Sequence, residues 1–256
     1  MLAGRQAQLF VRLDKVPNLA PEGVYVAFPF AVENPRFWVQ TTDAVFMAER
    51  EQLPHTCRDW YSIQHAVGVA GDRGAGVEWG SLDAPLVQLG GFHTGQWAEH
   101  LEAPAGHINS WLMNNLYFTN FKASQGGVDH FAYAFRPSEQ VDRQSVARFG
   151  EKVGAAVLTC QWPGWGAGPQ LAHVEITPDC LQIASVEIVD ADVVVTVRSL
   201  SASPTEGRVG WSGSQVRARL AGGQSALLAP GDFMPVNLGP YGEAVIILTP
   251  SKGHEQ

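Results

Sequence analysis

The stretch GVYVAFPFAV, residues 23–32, decides the fold class, because almost every residue in it is apolar and several are β-branched or aromatic. A short apolar run of this kind predicts a β-strand that is buried on both faces. Runs with alternating apolar residues surround it. In QLFVRLDK (8–15) the residues Leu9, Val11 and Leu13 share one face, and similar runs follow at 36–40, 62–70, 76–80, 84–90 and 130–135.

The 27 glycines and 16 prolines also favour many short strands over long helices. One helix is predicted at 138–153, where Val141, Ser145, Phe149 and Val153 recur at a spacing of four. The sequence therefore predicts a mainly antiparallel, all-β fold with one helix.

A second β domain is predicted after the segment QWPGWGAGPQ (161–170), whose glycines and prolines interrupt the strand pattern. Six short strand-like runs follow it, at 172–177, 181–189, 192–200, 207–211, 215–220 and 244–249. We expect one domain at 1–165 and a small antiparallel sandwich at 166–256.

Composition argues against several partners. The 17 Lys and Arg residues against 25 Asp and Glu give a formal charge of −8, and no basic run is present, so nucleic acid is a poor partner. No apolar run reaches the length of a membrane span, and the N-terminus lacks the apolar core of a secretory signal. With three cysteines and no C-x-x-C motif, we expect free thiols and a cytoplasmic protein.

No motif points to metal binding or nucleophilic catalysis. His93, His100 and His107 are seven residues apart, but Gly95 and Pro104 argue against a helix that would align them. The sequence GWSGS at 210–214 differs from the G-x-S-x-G pattern of serine hydrolases. We therefore predict no catalytic residue and no metal ligand in this chain.

The polar chemistry concentrates in NSWLMNNLYFTNFKASQGG, residues 109–127, which mixes carboxamides with aromatic and aliphatic side chains. Buried carboxamides need hydrogen-bond partners, so they either brace local backbone or bind an uncharged polar ligand such as a sugar. Tryptophans beside polar residues, as in CRDWYS, also suit sugar recognition. The carbohydrate-binding candidates are Asp59, Trp60, Asn114, Asn115, Asn120 and Gln125.

Several stretches resemble, in order, the region that follows the catalytic domain in bacterial α-mannosidases of glycoside hydrolase family 38. They are EGVYVAFPF, EREQLPHTCRDWYSIQHAVGV, GVEWGSLDAPLVQLGG, HINSWLMNNLYFTNFKASQGG and HFAYAF. The resemblance covers residues 8–160 and weakens toward 250. Tyr117 stands where the family motif commonly has Trp, and His55 where it has Gly after Leu-Pro.

The resemblance implies a galactose-mutarotase-like β-supersandwich followed by a smaller β-sandwich, with the Asn-rich segment bracing loops that face the catalytic domain. The family's zinc, its ligands and its nucleophile belong to a barrel that the resemblance does not include. We therefore expect no cofactor in this chain, and a catalytic-barrel polypeptide and a mannoside-like carbohydrate as partners.

Three functions follow as hypotheses. The first is a non-catalytic C-terminal portion or subunit of an α-mannosidase-like glycoside hydrolase that helps complete the sugar site. The second is a freestanding carbohydrate-binding module. The third is an aldose-epimerase-type enzyme, in which His65 or His107 would act with Glu78 or Asp129.

Overall fold

The computed structural model describes residues 6–42, 44–92, 97–115, 124–154, 173–190, 192–212, 215–221, 223 and 225–250. The chain divides into two compact units, Met1–Val157 and Leu158–Gln256. The segment predicted as the boundary, 161–170, lies outside the described residues.

Unit 1 contains ten strands and one helix in its described part. They are β1 (Ala7–Lys15), β2 (Gly23–Glu33), β3 (Arg36–Thr41), β4 (Ala44–Met47), β5 (Tyr61–Ser62), β6 (Ala66–Ala70), β7 (Gly76–Ser81), β8 (Leu86–Leu89), β9 (Ala105–Asn114), β10 (Gly127–Ser138) and α1 (Arg143–Gly154). A six-stranded sheet has the order β1-β10-β7-β6-β3-β4, and a four-stranded sheet has the order β2-β9-β8-β5. All of their pairings are antiparallel.

The core of unit 1 draws apolar side chains from both sheets, as expected of a sandwich. Phe28 of β2 meets two aromatic rings of the six-stranded sheet edge-on, with centroid distances of 5.2 Å to Trp79 and 5.0 Å to Tyr133. The Tyr133 hydroxyl lies 3.1 Å from Ser110 Oγ, which satisfies both groups inside the core. These contacts connect β2, β9, β7 and β10.

Strand β2 differs from the prediction that it is buried on both faces. Phe28 is buried, but its neighbours Ala27, Pro29 and Ala31 are exposed. The reason is that β2 is an edge strand, where a proline costs no ladder hydrogen bond and small side chains need no covering layer. An apolar run therefore marks an edge here rather than a central strand.

The helix begins five residues later than predicted, at Arg143 instead of 138. Asp142 caps it: its Oδ1 accepts from the Ser145 backbone N–H at 2.9 Å, and Ser145 Oγ accepts from the Asp142 N–H at 3.0 Å. This reciprocal pair is a capping box. Residues up to Ser138 instead extend β10.

Helix α1 packs on the face of the six-stranded sheet that points away from the core. Glycines on the central strands make room for it: a Cβ at Gly68 would lie 2.2 Å from Val146 Cγ2, and one at Gly80 would lie 2.9 Å from Val153 Cγ2. Arg136 lies over the Phe149 ring at 5.1 Å and forms an ion pair at 2.5 Å with the fully buried Glu78. The helix thus packs over small residues of the sheet, Arg136 covers its Phe149 ring, and its first residue, Arg143, forms an ion pair with Glu51.

In its described residues, unit 2 contains eight strands in two antiparallel sheets. They are β11 (Val174–Thr177), β12 (Leu181–Val189), β13 (Asp192–Ser199), β14 (Thr205–Trp211), β15 (Val216–Leu220), β16 (Ser225–Leu228), β17 (Phe233–Leu238) and β18 (Glu243–Pro250). Their orders are β11-β14-β17 and β12-β13-β18-β15-β16, and one apolar cluster draws on both sheets. The sequence did not predict β16 or β17. Pro235 lies within β17, and a proline is tolerated there because β17 is an edge strand.

The predicted all-β, mainly antiparallel fold with sandwich-like sheets and one helix is confirmed for the described residues. In that same part of the chain, no helix is long and apolar enough to cross a membrane.

We expect Gly68→Ala to lower the free energy of unfolding by about 1–3 kcal/mol, because the added methyl overpacks the contact with α1. Gly71→Ala is the matched control, since its Cβ would meet its neighbours at 3.4 Å or more. Urea denaturation of both variants measures the difference. Equal stability of the two variants would contradict the proposed packing of the helix.

Candidate functional site

The face of the four-stranded sheet that points away from the core, here called the outer face, carries a stack of three aromatic rings. Trp111 of β9 is stacked between Trp60 and Tyr25, with centroid distances of 5.0 Å and 5.9 Å and interplanar angles of 14° and 5°. Phe92 meets Tyr25 edge-on at 5.1 Å. Trp111 is buried, whereas Trp60 and Tyr25 are partly exposed and Phe92 is exposed.

Buried polar groups lie on this outer face. Gln88 of β8, with no exposed surface, donates from Nε2 to Asp59 Oδ1 at 2.8 Å, and Asp59 is itself 1% exposed. Asn109, paired with Gln88 in the ladder, donates to the Gly90 carbonyl at 3.3 Å. Of the predicted site residues, Asp59 therefore lies inside the protein and holds the loop that carries Trp60.

Glu49 joins the two loops that lie beside the outer face, residues 48–60 and 97–104. Its Oε1 lies 2.9 Å from His100 Nδ1, its Oε2 accepts from the Leu101 N–H at 2.9 Å, and the same oxygen lies 3.4 Å from Arg58 Nε. Burial alone would raise the pKa of Glu49, but the hydrogen bonds from His100 and Leu101 and the charges of His100 and Arg58 lower it below its ordinary value. The loops are thus held by a charged carboxylate.

Arg58 holds the 48–60 loop through hydrogen bonds to the loop's own backbone. Its side chain is 4% exposed and donates to the carbonyls of Thr56 at 2.7 Å and Leu53 at 3.1 Å. The Arg58 backbone N–H donates to Ala98 O at 2.7 Å, which is a second tie between the two loops. A buried guanidinium that binds backbone carbonyls makes a loop rigid.

His55 has a left-handed backbone, with φ of 61°. It follows Pro54 in a turn that the Thr56 N–H closes onto Leu53 O at 3.4 Å. Pro followed by a residue with positive φ is the pattern of a type II turn, in which glycine is favoured at the second position. The position where the family resemblance places Gly therefore has the conformation that Gly prefers.

Asn115 braces the loop between β1 and β2. Its Oδ1 accepts from the Glu22 N–H at 2.6 Å, and its Nδ2 donates to the Asn18 carbonyl at 2.9 Å. Lys15 forms an ion pair with Glu22, and this bond lowers the pKa of the Glu22 carboxyl. Both the oxygen and the nitrogen of the Asn115 carboxamide therefore form hydrogen bonds with the backbone of this loop.

The other predicted carboxamides lie near this brace. Asn114 and Gln125 line, with Lys15, Glu22 and Asn115, a cavity of about 10 Å³. That volume holds about one water molecule and no sugar. Gln125 is exposed and Asn114 is partly buried. Asn120 lies outside the described residues, as does Tyr117.

The five predicted residues that the structure describes thus form two groups rather than one. Asp59 and Trp60 belong to the outer face, whereas Asn114, Asn115 and Gln125 surround the loop brace. Tyr25, Glu49 and Arg58 were not among the residues predicted from the sequence. Cross-strand register brings Tyr25 opposite Trp111, and no local spacing reveals that pairing.

The residues considered for an epimerase are spread over different parts of unit 1. Glu78 and His65 pack against α1: Glu78 pairs with Arg136, and a Cβ at Gly154 would meet the His65 ring at 2.4 Å. His107 belongs to the four-stranded sheet, and Asp129 is exposed on β10. Among these four described residues, no hydrogen bond or ion pair joins a histidine to a carboxylate.

A hydrogen-bonded chain of Ser212, His173 and Glu175 lies on the surface of unit 2. Ser212 Oγ is 2.6 Å from His173 Nδ1, and His173 Nε2 is 2.7 Å from Glu175 Oε1. The His173 and Glu175 side chains are 61% and 57% exposed. Ser212 Oγ also accepts from the His173 N–H at 2.8 Å, so the group extends the β11–β14 pairing beyond its last residues.

Among the described residues, no group of three or more His, Cys, Asp or Glu side chains could hold a metal ion. Cys57 and Cys180 are free, partly buried thiols.

No protein-family model matches this chain, and no curated protein matches it either.

The lowered pKa of Glu49 predicts acid sensitivity. A carboxyl whose folded-state pKa is below its unfolded value stabilises the fold above the unfolded pKa, and this stabilisation is lost as pH falls through the folded pKa. We expect Glu49→Gln to be less stable than the wild type at neutral pH and to lose less stability between about pH 6 and pH 3. Glu102→Gln, at an exposed position on the neighbouring loop, is the control. Denaturation midpoints against pH that are parallel for Glu49→Gln and wild type would contradict the role of Glu49.

The left-handed backbone at His55 predicts an order of stability among its variants. We expect His55→Gly to be more stable than His55→Ala by about 1 kcal/mol, because a Cβ is strained in the left-handed region. The His55 side chain is 86% exposed, so loss of packing contributes little. Thermal melting of both variants tests this, and an alanine variant at least as stable as the glycine variant would argue against the turn.

Proposed function

We propose that this chain is a non-catalytic portion or subunit of an α-mannosidase-like glycoside hydrolase, which recognises carbohydrate beside a partner that supplies the catalytic barrel. The observation that carries the proposal is a set of exposed apolar side chains on the loops near the aromatic stack. They are Leu53, Phe92 and Trp97, here together called the loop surface.

The three side chains of the loop surface are exposed, and two of them, Leu53 and Trp97, belong to the loops that Arg58 braces. Leu53 is 76%, Phe92 58% and Trp97 66% exposed. Leu53 is in the turn that Arg58 binds, and Trp97 precedes Ala98, whose carbonyl accepts the Arg58 N–H. Apolar side chains that are ordered but uncovered in water are typical of surfaces that bind a partner or a ligand.

Two features add support from the family resemblance. The turn conformation at His55 is the one that a glycine at that position would adopt. The Asn-rich segment braces a loop through Asn115, which is the role the resemblance implies for it. Both features support the resemblance at the level of backbone geometry.

The sugar contact is assigned to rings rather than carboxamides. Gln88 and Asn109 are buried, so they orient the sheet and the loop instead of meeting a ligand. Trp60 and Tyr25 are the partly exposed ends of the stack, and the flat face of an aromatic ring suits the C–H face of a pyranose. Trp111 between them holds both rings parallel.

Capture of partners from a lysate of the source cells tests the proposal. We expect the tagged chain to retain, in stoichiometric amount, a polypeptide whose mass and sequence show a zinc-binding catalytic barrel. Phe92→Asp should lose this partner, because it places a charge in the loop surface. Phe10→Asp is the matched control, since Phe10 is 73% exposed on β1. Retention of no barrel, or equal retention by Phe92→Asp, would overturn the docking role.

The second candidate function is a freestanding carbohydrate-binding module, favoured by the partly exposed end of the stack at Trp60. We expect titration with methyl α-mannoside to change tryptophan fluorescence saturably, with a Kd of about 1 mM, typical of a few hydrogen bonds and one stacked ring. Trp60→Ala should lose the response. A titration with no change, or an unchanged response in Trp60→Ala, would count against this function.

A further inference from the structure

Unit 2 has its own open cleft, on the face of the three-stranded sheet that points away from the core. Its volume is about 430 Å³, and its walls include Thr177, Pro178, Glu206, Arg208, Pro235 and Asn237. Ligand pockets for small molecules begin at about 300 Å³, so the cleft is large enough for one or two sugar rings.

The strand register places the polar side chains of the cleft side by side. Glu206 of β14 is opposite Asn237 of β17, and Arg208 lies between Thr177 on one side and Pro235 on the other. Directly opposed residues of an antiparallel pair have Cβ atoms about 5 Å apart. The carboxylate of Glu206, the guanidinium of Arg208 and the carboxamide of Asn237 therefore lie next to one another on the same face of the sheet.

Contacts with the sheet hold Arg208 in place. Its Nε donates to Thr177 Oγ1 at 3.0 Å, and its guanidinium lies over the Phe233 ring, 4.7 Å from the centroid. The ring lies against Gly210, where a Cβ would be 2.6 Å from it. Since only Nε is engaged among the described contacts, the two terminal nitrogens are available to a ligand.

We propose that this cleft binds a neutral sugar ring. The hydroxyl groups of a sugar both donate and accept hydrogen bonds. In the cleft, Glu206 can accept them, Arg208 can donate them, and the Asn237 carboxamide can do both. Pro178 and Pro235 supply apolar walls for the C–H face of the ring. The opposite charges of Glu206 and Arg208 offset each other, which favours an uncharged ligand over an anion.

This site belongs to unit 2 alone and needs neither the aromatic stack nor a catalytic partner. The proposal therefore goes beyond the proposed function, and either can fail without the other. A chain with two separate sugar sites would hold a branched or polymeric glycan more tightly than either site alone.

The test is a ¹H–¹⁵N NMR titration of the full chain with methyl α-mannoside, methyl α-glucoside and methyl α-galactoside, with glycerol as a small polyol. We expect saturable shifts of the amides of β11, β14 and β17 with at least one glycoside, and none with glycerol. Arg208→Ala and Asn237→Ala should each weaken binding at least tenfold. Arg217→Ala, which removes an exposed arginine of β15, should leave it unchanged.

Three outcomes would overturn the site. The first is the absence of saturable shifts in these strands at about 50 mM glycoside, a concentration well above the millimolar Kd expected of a few hydrogen bonds. The second is equal shifts with glycerol. The third is binding that survives both Arg208→Ala and Asn237→Ala. Trp60→Ala separates this site from unit 1, because it should leave the unit 2 shifts intact whether or not the proposed function holds.

Discussion

A buried hydrogen bond, from Gln88 Nε2 to Asp59 Oδ1 at 2.8 Å, ties the 48–60 loop to the outer face in unit 1. Both side chains are almost completely buried, and buried polar groups require hydrogen-bond partners. The bond holds the end of the 48–60 loop against β8. Trp60, the next residue, is thereby placed parallel to Trp111.

This constraint explains how a chain with few charges builds the surface that we propose for recognition. Asp59, Gln88 and Asn109 lie inside the protein, where they orient the backbone. The side chains exposed to solvent are instead aromatic rings and apolar loop residues. Glu49 and Arg58 then hold the loop that carries Leu53. Asn115 does the same for the loop between β1 and β2. The carboxamides among the aromatic residues act mainly as braces.

Period-two alternation was enough to predict the fold class and most strands, because it reports directly which side chains face the core. It failed where another interaction overrode the pattern. The helix begins at a capping box formed by Asp142 and Ser145 instead of at Ser138, and β17 contains a proline that the edge position tolerates. The candidate site was predicted less well: Tyr25 meets Trp111 through register across two strands, which no spacing within one segment encodes.

We propose that this chain completes the sugar site of a separate catalytic barrel, and reconstituted hydrolysis is the decisive experiment. The purified chain, the purified barrel partner and their equimolar mixture would be assayed on a chromogenic α-mannoside. We expect no hydrolysis by the chain alone and a mixture at least tenfold more active than the barrel alone. Zinc-dependent hydrolysis by the chain alone, or a barrel whose activity the chain leaves unchanged, would contradict it.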